Sequence, residues 1–148
     1  MNKELQIARA GMFFWMREAT LEMLKRGQEG IEEWQRKMDK GLLAGYEIQG
    51  APRNSGVEGF LKYVVERDRF LGLEAGGHVT NERNFSYWII DPFIPLREEI
   101  TQEEYEKIST HGYLATKIRY FLPGEWKTTL MKSPWLGDDR TEWIIERQ

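Results

Sequence analysis

Three segments with a helical hydrophobic period come before any strand-like run, and that order constrains the fold more than any other feature of the chain. From Asn2 to about Leu24, Leu5, Ala8, Met12, Trp15, Met16, Ala19 and Met23 recur at three- and four-residue steps, the spacing of one helix face. After a break at Gly27, Ile31, Trp34, Met38 and Leu42 repeat the step among Glu32, Glu33, Arg36 and Lys37, a second helix expected to end near Gly41 to Gly45. A loop with Gly50, Pro52 and Asn54 follows. Ser55 and Glu58 then have the spacing of a capping box, which opens a third helix with the stripe Val57, Phe60, Leu61, Val64 and Val65 and a stop at Gly72.

The period then shortens. Leu73 to Thr80 and the β-rich run Phe85 to Ile90 flank the polar turn Asn81 to Asn84 and read as a hairpin, ended by Pro92 and Pro95. Thr101 with Glu104 is a second capping box, starting a helix with the stripe Tyr105, Ile108, Gly112, Ala115 and Arg119 that stops at Pro123-Gly124. Trp126 to Lys132 and Arg140 to Arg147 form a second hairpin around Pro134, Gly137, Asp138 and Asp139. Strands and helices do not alternate as they do in parallel sheets. The expected fold is therefore a single α+β domain over residues 1–148: three N-terminal helices, then hairpin, helix and hairpin, giving an antiparallel sheet of about four strands packed on helices.

Charge narrows the function. The net charge is −3, and basic residues do not outnumber acidic ones in either half, so a nucleic-acid partner is not expected. The apolar cluster Gly11 to Met16 is short and flanked by Arg9 and Arg17, which fits neither a signal peptide nor a spanning helix and leads to a cytoplasmic expectation with no membrane partner. The sequence has no cysteine, so disulfides, thiol nucleophiles and thiolate metal sites are excluded. Aromatic residues make up 13% of the chain, enough to supply a core with a homodimer interface or an aromatic-walled ligand pocket.

Residues 84–148 carry a further signal. His-Gly-Tyr-Leu-Ala-Thr (His111 to Thr116) leads to Leu-Pro-Gly (Leu122 to Gly124), a strand, Gly-Asp-Asp (Gly137 to Asp139) and Thr-Glu-Trp-Ile-Ile (Thr141 to Ile145). This resembles the C-terminal part of the L-2-amino-thiazoline-4-carboxylate hydrolase-like proteins and, more distantly, the 4-vinyl reductase ligand-binding domains. The resemblance implies the same order of helices and hairpins, and hydrolysis of a small organic molecule. Members of the group often carry cysteine at the turn into the last strand, at the end of the second strand and in the fourth helix. Here those places hold Thr141, Asp91 and a residue near Thr110. A cysteine mechanism does not transfer, because threonine without a strong neighbouring base is a weak nucleophile at neutral pH.

The remaining candidates for chemistry are few. His111 and His78 are the two imidazoles, and Asp91 stands where an aromatic strand meets Pro92, so His111 with Asp91 is the expected catalytic pair. A satisfied structural histidine and a turn-forming aspartate are the plainer alternatives. Trp88, Tyr113, Thr141, Trp143 and His78 are the expected ligand contacts, with Thr141 and Trp143 on the inward face of the last strand. The glycines do not have the spacing of a nucleotide fingerprint, and neither a cofactor nor a metal is expected. Two functional readings follow. One is a hydrolase-like enzyme acting on a small organic molecule in a pocket between helices and sheet; the other is a non-catalytic sensor or carrier domain of the same fold.

Overall fold

Alternating burial along two strands sets the frame. In the computed structural model, which describes residues 2–148, Phe85, Tyr87 and Ile89 of β2 (Asn84–Ile89) and Thr141, Trp143 and Ile145 of β4 (Thr141–Arg147) are buried, while the residues between them are not. The two strands pair antiparallel, with Tyr87 opposite Trp143 and Ile89 opposite Thr141, so their inward residues make one apolar face. β1 (Ala75–Asn81) flanks β2 and β3 (Trp126–Lys132) flanks β4, giving the order β1-β2-β4-β3 in a wholly antiparallel sheet. This is the expected α+β architecture. The helices cover the inner face, where Phe60 meets Phe85 and Tyr87 edge-on at 5.1 and 5.5 Å between ring centroids.

α1 (Lys3–Leu24) is capped by Asn2, whose side chain accepts from Glu4 N at 2.7 Å and Leu5 N at 3.2 Å. Of its residues only Thr20 is fully buried, where it accepts a hydrogen bond from Trp34 Nε1 at 2.8 Å. α2 (Gly27–Gln49) runs through Gly41 and Gly45, longer than the sequence predicts. Its last turn is held because Tyr46 is fully buried against Tyr120 and Phe121, and this packing overrides the poor helix propensity of glycine. Gly50, in the left-handed conformation, ends it.

α3 (Gly56–Phe70) lacks the predicted capping box. Asn54 and Gly56 both take positive φ, which turns the chain so sharply that Ser55 is not extended and its side chain caps nothing. The Thr101–Glu104 box does form, with Glu104 N donating to Thr101 Oγ1 at 3.1 Å and Thr101 N to Glu104 Oε1 at 2.9 Å. It opens α4 (Gln102–Ile108), which continues through a π-helical turn (Ser109–Leu114) into α5 (Ala115–Phe121). Short 3-10 turns at Ile94–Leu96 and Pro134–Leu136 complete the chain. No helix among the described residues is long and apolar enough to cross a membrane.

Candidate functional site

Where β2 ends, the chain turns at Asp91-Pro92 and carries the Asp91 carboxylate into the interior. Asp91 is 2% exposed. Its Oδ1 accepts from Phe93 N at 2.9 Å, the local turn expected of an aspartate here, and its Oδ2 accepts from Tyr105 Oη at 2.7 Å and from Tyr113 Oη. Tyr105 also bonds Thr141 Oγ1 at 2.7 Å. The π turn is what brings Tyr113 to this carboxylate, because its extra residue rotates the face of the helix that follows.

One helical turn after Tyr113 comes Lys117, 4% exposed, and across from it on α3 stands Asp68, 5% exposed. Lys117 Nζ donates to Tyr87 Oη at 3.2 Å and lies 3.8 Å from Asp68 Oδ1, while Tyr87 Oη donates to Asp68 Oδ2 at 2.5 Å. The ammonium also faces the rings of Tyr87 and Tyr113, 5.2 and 4.8 Å from their centroids. Burial raises the Asp68 and Asp91 carboxyls above their usual range and lowers the Lys117 ammonium, with the opposite charges and hydrogen bonds restoring part of each shift. The tyrosine hydroxyls Tyr87, Tyr105 and Tyr113 are pushed well up by burial first and by the carboxylates second, so they stay protonated and act as donors.

This polar cluster forms one end of a cavity of about 410 Å³ between α1, α2, the end of α3 and the π turn. Asp68, Asp91, Tyr113 and Lys117 line that end; Met12, Met16, Met23 and Met38, with Trp34 and Leu42, line much of the rest. Four unbranched thioethers make an adaptable apolar wall. Tyr46 is also in the wall, and its hydroxyl is fully buried without a hydrogen-bond partner; burial and the nearby Asp68 keep it protonated. No group of three His, Cys, Asp or Glu among the described residues could hold a metal ion.

The residues proposed from sequence divide sharply. Asp91 and Tyr113 line the cavity, and Thr141 and Trp143 are buried beneath it, Thr141 bonded to Tyr105 and Trp143 donating from Nε1 to Thr110 Oγ1 at 2.9 Å. His111 is exposed, its backbone carbonyl accepting from Gln35 Nε2 at 3.4 Å, so the imidazole does not meet the buried Asp91 and the expected catalytic pair does not form. The reason is the π turn, which aims Tyr113 inward in its place. His78 is exposed on the edge strand β1. Trp88 belongs to the outer face of the sheet, half-buried under the Arg140 guanidinium at 4.6 Å, because it alternates with the inward Tyr87 and Ile89. Asp68, Lys117, Tyr46 and the methionines of the wall are additions that the structure makes to the sequence reading.

No family model matches the chain, and no curated protein matches it significantly. Among solved structures, a trafficking protein particle complex subunit 3 from Naegleria fowleri, covalently bound to palmitic acid, superposes with a TM-score of 0.56 over 97% of this chain and 96% of that one, at 14% identity. The likeness establishes a shared fold. The hydrolase expectation is corrected on this point: the structural neighbour is a trafficking subunit and not a hydrolase. The resemblance of residues 84–148 to the thiazoline-carboxylate hydrolase-like group rests on its short motifs alone.

Proposed function

We propose that this protein is a non-catalytic binding domain for a small, largely apolar organic molecule that carries one hydrogen-bond-accepting end. The observation that carries the reading is the Tyr46 hydroxyl, buried in the wall of an otherwise methionine-rich cavity with no partner of its own. An orphaned buried hydroxyl costs about 1–3 kcal/mol, and because Tyr46 has no exposed surface, an acceptor on a bound molecule removes that cost when the neighbouring wall side chains move aside to admit it. Lys117 supports the same polarity: an ammonium has three donors, and Tyr87 and Asp68 between them engage fewer than all three. The cavity volume is within the roughly 300–1,000 Å³ of ordinary ligand sites. Asp91, by contrast, is committed to three donors, which suits a structural anchor better than a proton shuttle.

The neighbour's palmitic acid is consistent with an acyl-chain ligand of this kind. Any such chain is held here without a thioester, because the sequence has no cysteine. The test is a titration of parent and Tyr46→Phe with a medium-chain fatty acid, read by displacement of an apolar fluorophore, beside mass spectrometry of organic extracts of the purified protein. Tyr46→Phe is expected to weaken the fatty acid by about fivefold to tenfold, a hydrogen bond's worth, while leaving the ligand-free protein as stable as the parent or more so. Saturable binding that is indifferent to Tyr46, or no binding and an extract free of apolar molecules, overturns the reading.

A further inference from the structure

Arg67 lines the same cavity from the end of α3, one residue before Asp68. Its half-buried guanidinium stands 5.5 Å from the centre of the Tyr46 ring and lies against α2 at Gly45. A Cβ at Gly45 would fall 2.3 Å from Nη1 and 2.6 Å from Cζ and Nη2 of the arginine. Glycine is a poor residue for a helix interior, and here its missing side chain leaves the notch that the guanidinium occupies. The other two cations of the wall have counter-ions: Lys37 is 3.3 Å from Glu33 and Lys117 is 3.8 Å from Asp68. Among the described residues no carboxylate comes within ion-pair distance of the Arg67 guanidinium and no oxygen accepts from it. Asp68 feels its charge without touching it.

We propose that Arg67 binds the carboxylate of an apolar, single-chain ligand, so that the cavity takes a free fatty acid or a similar apolar acid in preference to a neutral lipid. The proposal rests on the binding reading above and adds the head group to it. Charge alone does not select that group, because Asp68 and Asp91 offset Lys117 and Arg67. Hydrogen bonding does. The acids of the wall are engaged, Asp68 by Tyr87 and Lys117, Asp91 by Phe93 N–H, Tyr105 and Tyr113. What the wall leaves unmet are donors, chiefly the five N–H groups of the Arg67 fork. An alcohol or ester carbonyl answers them with one oxygen, whereas a carboxylate presents two in the geometry of the fork, with the opposite charge. Arg67 is also within reach: Tyr46 has no exposed surface, but the half-buried guanidinium meets a head group without rearrangement of the wall. A singly charged carboxylate costs less to bring out of water than a phosphate with nearly two charges.

Decanoate, decanol and decyl phosphate share one tail and are titrated against the whole chain at neutral pH by displacement of an apolar fluorophore. The parent is expected to bind decanoate at least tenfold more tightly than decanol, the worth of a charge-assisted hydrogen bond, and more tightly than decyl phosphate. Arg67→Met, which keeps an unbranched stem without the charge, is expected to weaken decanoate at least tenfold and decanol less than threefold, with an unchanged circular-dichroism spectrum. Gly45→Ala tests the placement without removing the arginine, because the new methyl group fills the notch while favouring the helix. It is expected to weaken decanoate at least threefold with a melting temperature no lower than the parent's. Decanol bound as tightly as decanoate, decyl phosphate bound more tightly than either, or variants that keep the parent's preference would each overturn the carboxylate assignment while the binding reading stands. Binding of none of the three probes overturns both.

Discussion

The Lys117 ammonium stands 3.8 Å from the Asp68 carboxylate with both side chains almost wholly removed from water. Neither charge could be stable there alone. Breaking a buried pair from one side leaves an uncompensated charge, at a cost of about 3–5 kcal/mol, whereas removing both charges is often close to neutral. Lys117→Met is therefore expected to lower the unfolding free energy by about 3 kcal/mol or more. Adding Asp68→Asn should recover over half of that loss, because the amide that replaces the carboxylate can still accept from Tyr87 while carrying no charge. Urea unfolding of the parent, both single variants and the double variant measures the coupling. A double variant as unstable as Lys117→Met would mean that the lysine acts through its packing and not through its charge.

Asp91 gives the cluster a dependence on pH. Burial raises its carboxyl above the ordinary 3.8, and the hydrogen bonds from Tyr113, Phe93 N–H and Tyr105 reverse part of the rise. Folding therefore favours the protonated acid: the stabilisation is fully present below pH 3.8 and is lost as the pH climbs through the higher folded value. Asp68 has the same sign, and Lys117, lowered from 10.5, the opposite one, its contribution being present above 10.5 and lost as pH falls through the folded value. Comparing the parent with Asp91→Asn isolates the Asp91 contribution. The parent's stability relative to the variant is expected to decline as the pH rises above 3.8 and to level off once it has passed the higher folded value. Urea unfolding in a series of buffers of rising pH, starting below pH 3.8, checks it, and a relative stability that stays flat or grows throughout contradicts the shift.

Much of the architecture is legible in the sequence because the inward stripes obey simple periods. The alternation of β2 and β4 places Trp143 and Thr141 inside, and both are fully buried. The site is harder to read for three local reasons. Asp68 follows Val64 by four residues, so it continues the buried stripe of α3, but an apolar pattern carries no reason to extend to an acid. Tyr46 follows Leu42 by four in the same way and escapes notice because the glycines at 41 and 45 signal a helix end that packing overrides. Lys117 is hidden by the π turn, which inserts one residue and rotates the buried face from Ala115 and Arg119 to Thr116, Lys117 and Tyr120; Arg119 is exposed. Sequence periodicity assumes an uninterrupted 3.6-residue repeat, and the polar end of the cavity is built where that repeat is broken.

The glycine in that π turn is required by its neighbour on α2. A Cβ at Gly112 would lie 2.9 Å from Cζ3 of Trp34 and 3.0 Å from the Lys107 carbonyl oxygen, closer than side chains tolerate. Trp34 has little freedom to withdraw, because its Nε1 donates to Thr20 Oγ1 at 2.8 Å and its ring meets Phe93 edge-on at 6.1 Å. Gly112→Ala is accordingly an overpacking substitution, expected to cost about 1–3 kcal/mol in urea unfolding. Since Trp34 also lines the cavity, the displaced ring should weaken binding of an apolar probe at the same time. Pairing it with Trp34→Phe, which shrinks the ring, should return part of the stability lost in Gly112→Ala, whereas on the parent background Trp34→Phe is destabilising through its lost contacts and hydrogen bond. If Gly112→Ala instead unfolds within about 0.5 kcal/mol of the parent, the helix relaxes around the new methyl group and the Gly112–Trp34 approach does not fix the cavity wall.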